Sequence, residues 1–218
     1  MNISLLRKVI SEAIGTAFLV MIVIGSGIMG QNLSTDTLSI LLANTLATGV
    51  GLTTLIWVFI AISGAHFNPA VTLVMLLRRE MTALDALAYI AAQFLGAMLG
   101  VLMVHAMFDL ALLQSSSNFR GGVNLYLSEG IATFGLLMTI LSVRRLSLLA
   151  VAPAVGLYIS AGYWFTASTS FANPAVTFAR GFTDSFTGID PGFILPFIGA
   201  QLIAALFAML LMRFLLDD

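Results

Sequence analysis

The sequence contains no cysteine and little charge. Without cysteine, its 218 residues can form neither a disulfide framework nor a thiolate metal site. Only 9% of the residues are charged and the net charge is −1, so the composition gives no indication of a nucleic acid or other polyanionic partner. Hydrophobic residues make up 60% of the chain and its mean hydropathy is +1.06, more than a water-soluble domain of this size needs. The composition therefore predicts an integral membrane protein.

Six apolar segments approach or exceed the length of about 20 residues that a helix needs to cross a bilayer. They are unbroken rather than alternating in hydropathy, which favours spanning helices over a β-barrel. The predicted spans are residues 9–29, 38–62, 83–107, 123–143, 146–165 and 193–215. The first is predicted to be a retained helix rather than a cleaved signal peptide, because residues 1–8 lead into a span of full length.

One five-residue stretch occurs twice, letter for letter. Its two copies are Asn68, Pro69, Ala70, Val71 and Thr72, and Asn173, Pro174, Ala175, Val176 and Thr177. Asparagine is a favoured N-cap and proline is favoured at the first helical position, so each copy predicts the start of a helix. The apolar run after each copy is too short to cross a bilayer. Two half-length helices in a membrane chain indicate a pore or a binding site.

The two copies belong to two similar halves, about residues 1–110 and 111–218, of a single domain. Ser11 and Glu12 near the start of the first half match Ser128 and Glu129 in the second. Each half contains three spans, an odd number, so the second half enters the membrane from the opposite side. The sequence thus predicts an inverted repeat whose half-helices meet, N-terminus to N-terminus, near the midplane. Their partial positive charges there repel cations.

The basic residues predict the orientation of the chain. With the N-terminus inside, the cytoplasmic side carries Arg7, Lys8, Arg78, Arg79, Arg144, Arg145 and Arg213. The outside then carries only Arg120 and Arg180. This asymmetry fits the positive-inside rule, and the opposite orientation reverses it.

Residues 63–72 and the second Asn-Pro-Ala copy resemble the signatures of the aquaporins, or major intrinsic proteins. The resemblance covers essentially the whole chain. It implies an all-α transmembrane fold of six spanning helices plus two re-entrant half-helices. It also implies a homotetramer with one pore per subunit, in the inner cell membrane, with both termini cytoplasmic. In that family, glutamates placed like Glu12 and Glu129 brace the two re-entrant loops, and no cofactor or catalytic residue is implied.

The resemblance also identifies the residues of the pore. The Asn68 and Asn173 amides are predicted to donate to a passing oxygen while their carbonyl oxygens cap the half-helices. Comparison with the family places the constriction at Thr48, Ala161, Ser170 and Val176. If the loop at residues 167–172 contains one residue more than is usual in the family, Thr169 takes the place of Ser170 in the constriction. The position assigned to Ala161 then moves by one residue.

These constriction residues differ from those of a strict water channel. In the family an arginine usually follows the second Asn-Pro-Ala, where this chain has Val176. All four side chains are small and uncharged, which predicts a wide pore for water and small neutral solutes. The set resembles that of bacterial aquaporins associated with arsenic resistance, so glycerol, arsenous acid and methylated arsenicals are the candidate solutes.

Several residues have an alternative interpretation. Glu12 and Glu129 could form a paired-carboxylate catalyst, but we favour loop support and predict no enzyme activity. His66 could ligate a metal, but no second ligand stands at suitable spacing, so structural support of the loop is favoured. Arg180 lies one helical turn beyond Val176 and is either an ordinary snorkelling arginine or a vestibule charge.

Three alternative functions also remain. A strict water channel needs only a narrower constriction than the one predicted here. A secondary transporter also uses inverted repeats and broken helices, but it usually has more spans and a coupling charge within the membrane. A non-conducting structural membrane protein would keep the fold with a closed pore.

Overall fold

The computed structural model describes residues 3–216, which form α-helices, one short 3₁₀ helix and connecting loops, with no β-strand in that range. The helices are α1 (Leu5–Leu33), α2 (Thr37–Phe59), α3 (Pro69–Leu77), α4 (Ala83–Met107), α5 (Val123–Leu146), α6 (Val151–Phe165), α7 (Pro174–Arg180) and α8 (Ile194–Leu216). The 3₁₀ helix Pro191–Phe193 leads directly into α8. The predicted all-helical fold is confirmed.

Five of these helical segments are long and apolar enough to cross a membrane: α1, α2, α4, α5 and the 3₁₀ helix together with α8. The predicted span over residues 146–165 is apolar but shorter, because only the 15 residues of α6 are helical. Pro153 lies in the first turn of α6, where proline is tolerated, and a turn precedes the helix at residues 148–150. Large side chains such as Leu95, Leu157 and Leu195 are exposed on the outer surface, as lipid contact requires.

The half-helices α3 and α7 begin at the two proline residues that the repeated stretch predicts. Asn68 caps α3, since its Oδ1 accepts a hydrogen bond from the Ala70 amide at 2.9 Å. Asn173 caps α7 in the same way through the Ala175 amide at 3.0 Å. A side-chain oxygen at the N-cap satisfies a backbone donor that the helix itself cannot.

The two halves pack in equivalent ways. The pairing of α1 with α4 in the first half corresponds to that of α5 with α8 in the second, and α2 packs against α6 across the halves. Both α3 and α7 lie against α4 and α8. This arrangement holds the two half-helices inside the bundle, where their capped ends face each other.

Glycines allow the closest helix crossings. A Cβ atom on Gly96 would lie 2.2 Å from the carbonyl oxygen of Ala13, and one on Gly100 would lie 2.5 Å from that of Ala17. The crossing of α1 with α4 therefore depends on these two glycines, as small residues at helix interfaces in membranes commonly allow.

Candidate functional site

A cavity of about 340 Å³ lies between the two halves of the molecule. It extends from a charged end that includes Glu80 and Arg144 to a second end that includes Tyr163 and Arg180. We call it the central cavity, with a Glu80 end and an Arg180 end. Both asparagines of the repeated stretch line it, together with apolar side chains of α1, α2, α5 and α6. The cavity therefore passes the place where the two half-helices meet.

The two half-helices are joined by a reciprocal pair of hydrogen bonds. The Asn68 Nδ2 donates to the carbonyl oxygen of Ala172 at 2.7 Å, and the Asn173 Nδ2 donates to that of Phe67 at 2.7 Å. A side-chain amide has two N–H groups, so each asparagine keeps one donor beyond this link. Because both residues line the central cavity, a passing oxygen meets the two remaining donors at one point.

Glu12 is fully buried and anchors the loop before α3. Its carboxylate accepts hydrogen bonds from the His66 amide at 3.0 Å and the Phe67 amide at 2.7 Å. The Ser63 hydroxyl at 2.6 Å and the Gln93 side-chain amide at 2.8 Å also donate hydrogen bonds to this carboxylate. Four donors around one carboxylate replace the water that burial removes.

Glu129 anchors the loop before α7 in the same way, by accepting hydrogen bonds from its backbone amides. It is fully buried and accepts from the Phe171 amide at 2.8 Å, the Ala172 amide at 2.9 Å and the Gln201 side chain at 2.6 Å. The two glutamates thus hold equivalent loops, and both lie away from the lining of the central cavity. The structure does not bring their carboxylates together as a catalytic pair, because each is surrounded by the donors of its own loop.

The two loops share an unusual backbone. Positive φ angles occur at Ala65 and Phe67 in one loop and at Ser170 and Ala172 in the other. Each non-glycine residue in this region costs of order 1–3 kcal/mol, so the surrounding contacts must determine the conformation. The buried glutamates supply those contacts. The result is that carbonyl groups of both loops face the asparagine of the opposite half.

At the Arg180 end, Thr48, Ser170 and Val176 all line the central cavity, and Thr169 does not. Thr48 accepts a hydrogen bond from the Tyr163 hydroxyl at 3.1 Å. The Ser170 hydroxyl is buried and has no protein partner among the residues that the structure describes. Three of the side chains at this end of the cavity are therefore small and uncharged, and two of them carry hydroxyl groups.

The structure corrects the position predicted for Ala161. This residue lies on the exposed face of α6 and does not line the cavity. Its neighbour Gly162 lies against Ser170, since a Cβ atom on Gly162 would be 2.6 Å from the Ser170 hydroxyl oxygen. Adjacent helix residues point about 100° apart, so a shift of one residue turns a side chain from the cavity towards the surface. The residue of α6 that packs against Ser170 is thus Gly162 rather than Ala161.

Two lining residues of α6, Ile159 and Tyr163, were not identified from the sequence. They belong to a stripe in which every fourth residue faces the cavity: Val151, Val155, Ile159 and Tyr163. Residues four apart share one face of a helix, so this spacing was a usable signal. The stripe on α2, which contains Thr48, follows the same rule with Leu52 and Ile56, and it continues to Ile60 just after the end of the helix.

Arg180 is not a snorkelling arginine at the surface. Its side chain is only 3% exposed and lines the central cavity. The guanidinium carbon lies 3.2 Å from the centroid of the Phe171 ring, and Nε donates to the carbonyl oxygen of Thr187. The alternative interpretation, a charge in the vestibule, agrees with this position.

The Glu80 end carries both charge signs. Glu80 accepts hydrogen bonds from Arg144 and, at 3.0 Å, from Arg78, which links the end of α3 to that of α5. Partial burial alone would raise the pKa of the Glu80 carboxyl, but the two arginines outweigh it and hold that pKa below its usual range. His66 also lines the cavity, and its Nδ1 lies 3.0 Å from the Thr72 hydroxyl.

Comparisons with known proteins agree with this architecture. Residues 1–147 match the family described as major intrinsic protein (MIP). The chain is 51% identical, over 98% of its length, to the aquaglyceroporin AqpS of Rhizobium meliloti and covers 91% of that protein. It is 31% identical, over 94% of its length, to aquaporin-1 of Rattus norvegicus, of which it covers 82%.

A solved structure shows the same fold. The aquaglyceroporin of Plasmodium falciparum superposes with a TM-score of 0.72 at 23% identity, covering 98% of both chains. The resemblance stated from the two Asn-Pro-Ala copies is confirmed, and an integral membrane location follows from the apolar helices together with the match. The chain belongs to the major intrinsic protein family.

Proposed function

We propose that this protein is a channel through which water and small neutral solutes diffuse passively. The observation that carries the proposal is the central cavity, which passes between the caps of two half-helices and includes polar groups at both ends. The similarity to a protein named as an aquaglyceroporin, over nearly the whole chain, supports it. The cavity walls between the polar groups are mostly apolar, which suits rapid passage rather than tight binding.

The solutes that we propose are neutral and about the size of glycerol. Thr48, Ser170 and Val176 line the cavity at the predicted constriction and Gly162 lies against Ser170, and none of these four carries a charge or a long side chain. Undissociated arsenous acid has three hydroxyl groups, as glycerol does, and methylated arsenicals are similarly small. We include these arsenicals as candidate solutes on the grounds of size and neutrality.

The asparagine pair supplies the polar midpoint of the proposed pore. Water held by one donor from Asn68 and one from Asn173 directs its own protons away from that point, which interrupts a chain of waters that could conduct protons. The opposed starts of α3 and α7 add partial positive charge there. Neutral solutes cross with little penalty because they carry no charge to be repelled.

We propose that Glu12, Glu129 and His66 support this pore rather than select solutes. The glutamates fix the loop carbonyls that hold the two asparagines, and His66 positions Thr72 at the start of α3. We further propose that the two halves form one domain. That domain assembles as a homotetramer in the inner cell membrane, with both termini cytoplasmic and the Arg180 end outside. The distribution of basic residues supports that orientation.

Stopped-flow light scattering on proteoliposomes distinguishes the proposed channel from the alternatives. A channel gives solute flux that rises linearly with the gradient, whereas a transporter gives flux that saturates. A non-conducting structural protein gives the same rates as empty vesicles. Linear flux above that of empty vesicles is expected, and either of the other two results would contradict the proposal.

A further inference from the structure

The side chain of Arg180 is held in one position at the Arg180 end of the central cavity. It lies one helical turn beyond Val176 on α7 and is almost fully buried. The Phe171 ring covers one face of the guanidinium at 3.2 Å from its centroid, and the Thr187 carbonyl accepts from Nε. Contact with an aromatic face and a carbonyl oxygen holds a cation in place without neutralising its charge.

Beyond Nε, the Arg180 guanidinium has no hydrogen-bond partner within the part of the chain that the structure describes. Nε is the one Arg180 nitrogen with a hydrogen-bond acceptor among residues 3–216. The two terminal nitrogens therefore remain available on a side chain that lines the cavity. The Ser170 hydroxyl, buried in the same lining, likewise has no partner in the described part of the chain. These unpaired groups indicate that Arg180 and Ser170 face whatever passes through this end.

A second arginine adds to the positive charge at this end. The Arg120 guanidinium lies 5.1 Å from the centroid of the same Phe171 ring. It donates to the carbonyl oxygens of Gly188 at 2.8 Å, Phe186 at 3.3 Å and Ser168 at 3.4 Å. Within residues 3–216 neither Arg120 nor Arg180 forms an ion pair with a carboxylate. Arg120 does not line the cavity, and its hydrogen bonds hold the surrounding loops together. Arg180 is therefore the charged side chain that a solute meets at this end.

We infer that Arg180 is the charge-selective residue of this pore and that size selection occurs separately, at Val176. The inference rests on the proposed channel function. A cation arriving at the outer end meets an uncompensated guanidinium in a site of low dielectric constant, where repulsion is strong. A neutral solute meets unused hydrogen-bond donors instead. The wide constriction one turn further in then admits molecules of glycerol size without admitting cations.

The test compares neutral and cationic flux in the same proteoliposomes. Water and glycerol entry is followed by light scattering, and potassium and methylammonium leakage is followed electrically after imposing a membrane potential. The Arg180→Gln variant is expected to raise the ratio of cation leakage to water flux at least about tenfold, equivalent to about 1.4 kcal/mol of barrier. Arg180→Lys, which keeps a charge, is expected to restore most of the exclusion.

Two further variants separate charge from structure. Arg120→Gln removes a neighbouring charge that lies outside the cavity, and it is expected to lower thermal stability and to raise cation leakage much less than Arg180→Gln does. The double variant Val176→Arg with Arg180→Gln is expected to exclude cations again while passing less glycerol. Equal cation leakage through the Arg120 and Arg180 variants would overturn the inference, since a loosened loop would then explain both.

The outcomes also separate this inference from the proposed function. If the unaltered protein conducts water and glycerol but Arg180→Gln stays impermeable to cations, the inference is wrong and the channel proposal stands. If the unaltered protein conducts no neutral solute, the channel proposal fails and the inference fails with it.

Discussion

Glu12 and Glu129 are the residues on which the shape of the pore depends most. Each is fully buried and holds adjacent backbone amides of one loop, beside residues with positive φ angles. Such a carboxylate acts as acceptor only, so every group around it must be a donor. Loss of one acceptor leaves a buried donor unsatisfied and also releases a strained backbone.

We expect Glu12→Gln and Glu129→Gln to damage stability more than solute selectivity. Glutamine directs an NH₂ group towards neighbours that are themselves donors, which should cost roughly 1–3 kcal/mol for each unsatisfied group. Thermal unfolding in detergent measures the loss. Asp36→Asn is a suitable control, because Asp36 is an exposed N-cap of α2 and asparagine caps helices equally well. Unchanged unfolding with altered selectivity would contradict the supporting role.

Val176 is expected to set the width of the constriction. Val176→Arg should reduce glycerol and arsenous acid flux far more than water flux, because the longer side chain takes up width that a three-hydroxyl solute needs more than water does. Each ~1.4 kcal/mol of added barrier lowers the larger solute's rate tenfold. Swelling assays at matched protein density measure both fluxes, and Val176→Leu, which adds bulk without charge, is the control. Equal losses for water and arsenous acid would show that Val176 does not line the narrowest point.

At the residue level, three of the four positions assigned from the family comparison line the cavity and one does not. Thr48, Ser170 and Val176 line the cavity, and their role in the constriction stays a prediction. Ala161 was displaced by one residue because its assignment crossed an irregular loop, where no helical period fixes the register. The position of Arg180 depends on a tertiary contact with Phe171, which spacing alone does not reveal.

At the level of elements, the half-helices were well predicted and α6 was not. Asparagine followed by proline specifies the start of a helix locally, so α3 and α7 begin where expected. Hydropathy alone extended the predicted span back to residue 146, whereas α5 continues to Leu146 and a turn follows it. An apolar turn cannot be distinguished from an apolar helix end by hydropathy, which is why the boundary was wrong.

The crossing of α1 with α4 should be the element contact most sensitive to substitution. Gly96→Val places new atoms against the backbone carbonyl of Ala13, which cannot move without bending α1. We expect a loss of roughly 1–3 kcal/mol, as overpacked cores show, and reduced amounts of folded protein. Gly199→Ala is the matched control, because no other atom lies within 4 Å of the added Cβ. A helical alanine there should be neutral or slightly stabilising. Equal unfolding temperatures for both variants would contradict the close crossing.

At the level of the whole molecule, the inverted repeat was predictable because both halves of the chain contain the same motif residues. The glutamates, asparagines and glutamines of the two halves occur in the same order, and the structure gives them equivalent contacts. The reciprocal bonds between Asn68 and Ala172 and between Asn173 and Phe67 were not predictable, since they join residues from different halves. Only the assembled bundle brings those groups within reach.

The central claim is that this pore is wide and neutral at Val176 and therefore admits more than water. The most direct test measures water and glycerol entry into the same proteoliposomes over a range of protein-to-lipid ratios. The account predicts that both rates rise in proportion to the amount of protein and that glycerol entry stays linear with its gradient. Water entry that rises with protein while glycerol entry stays at the level of empty vesicles would contradict it.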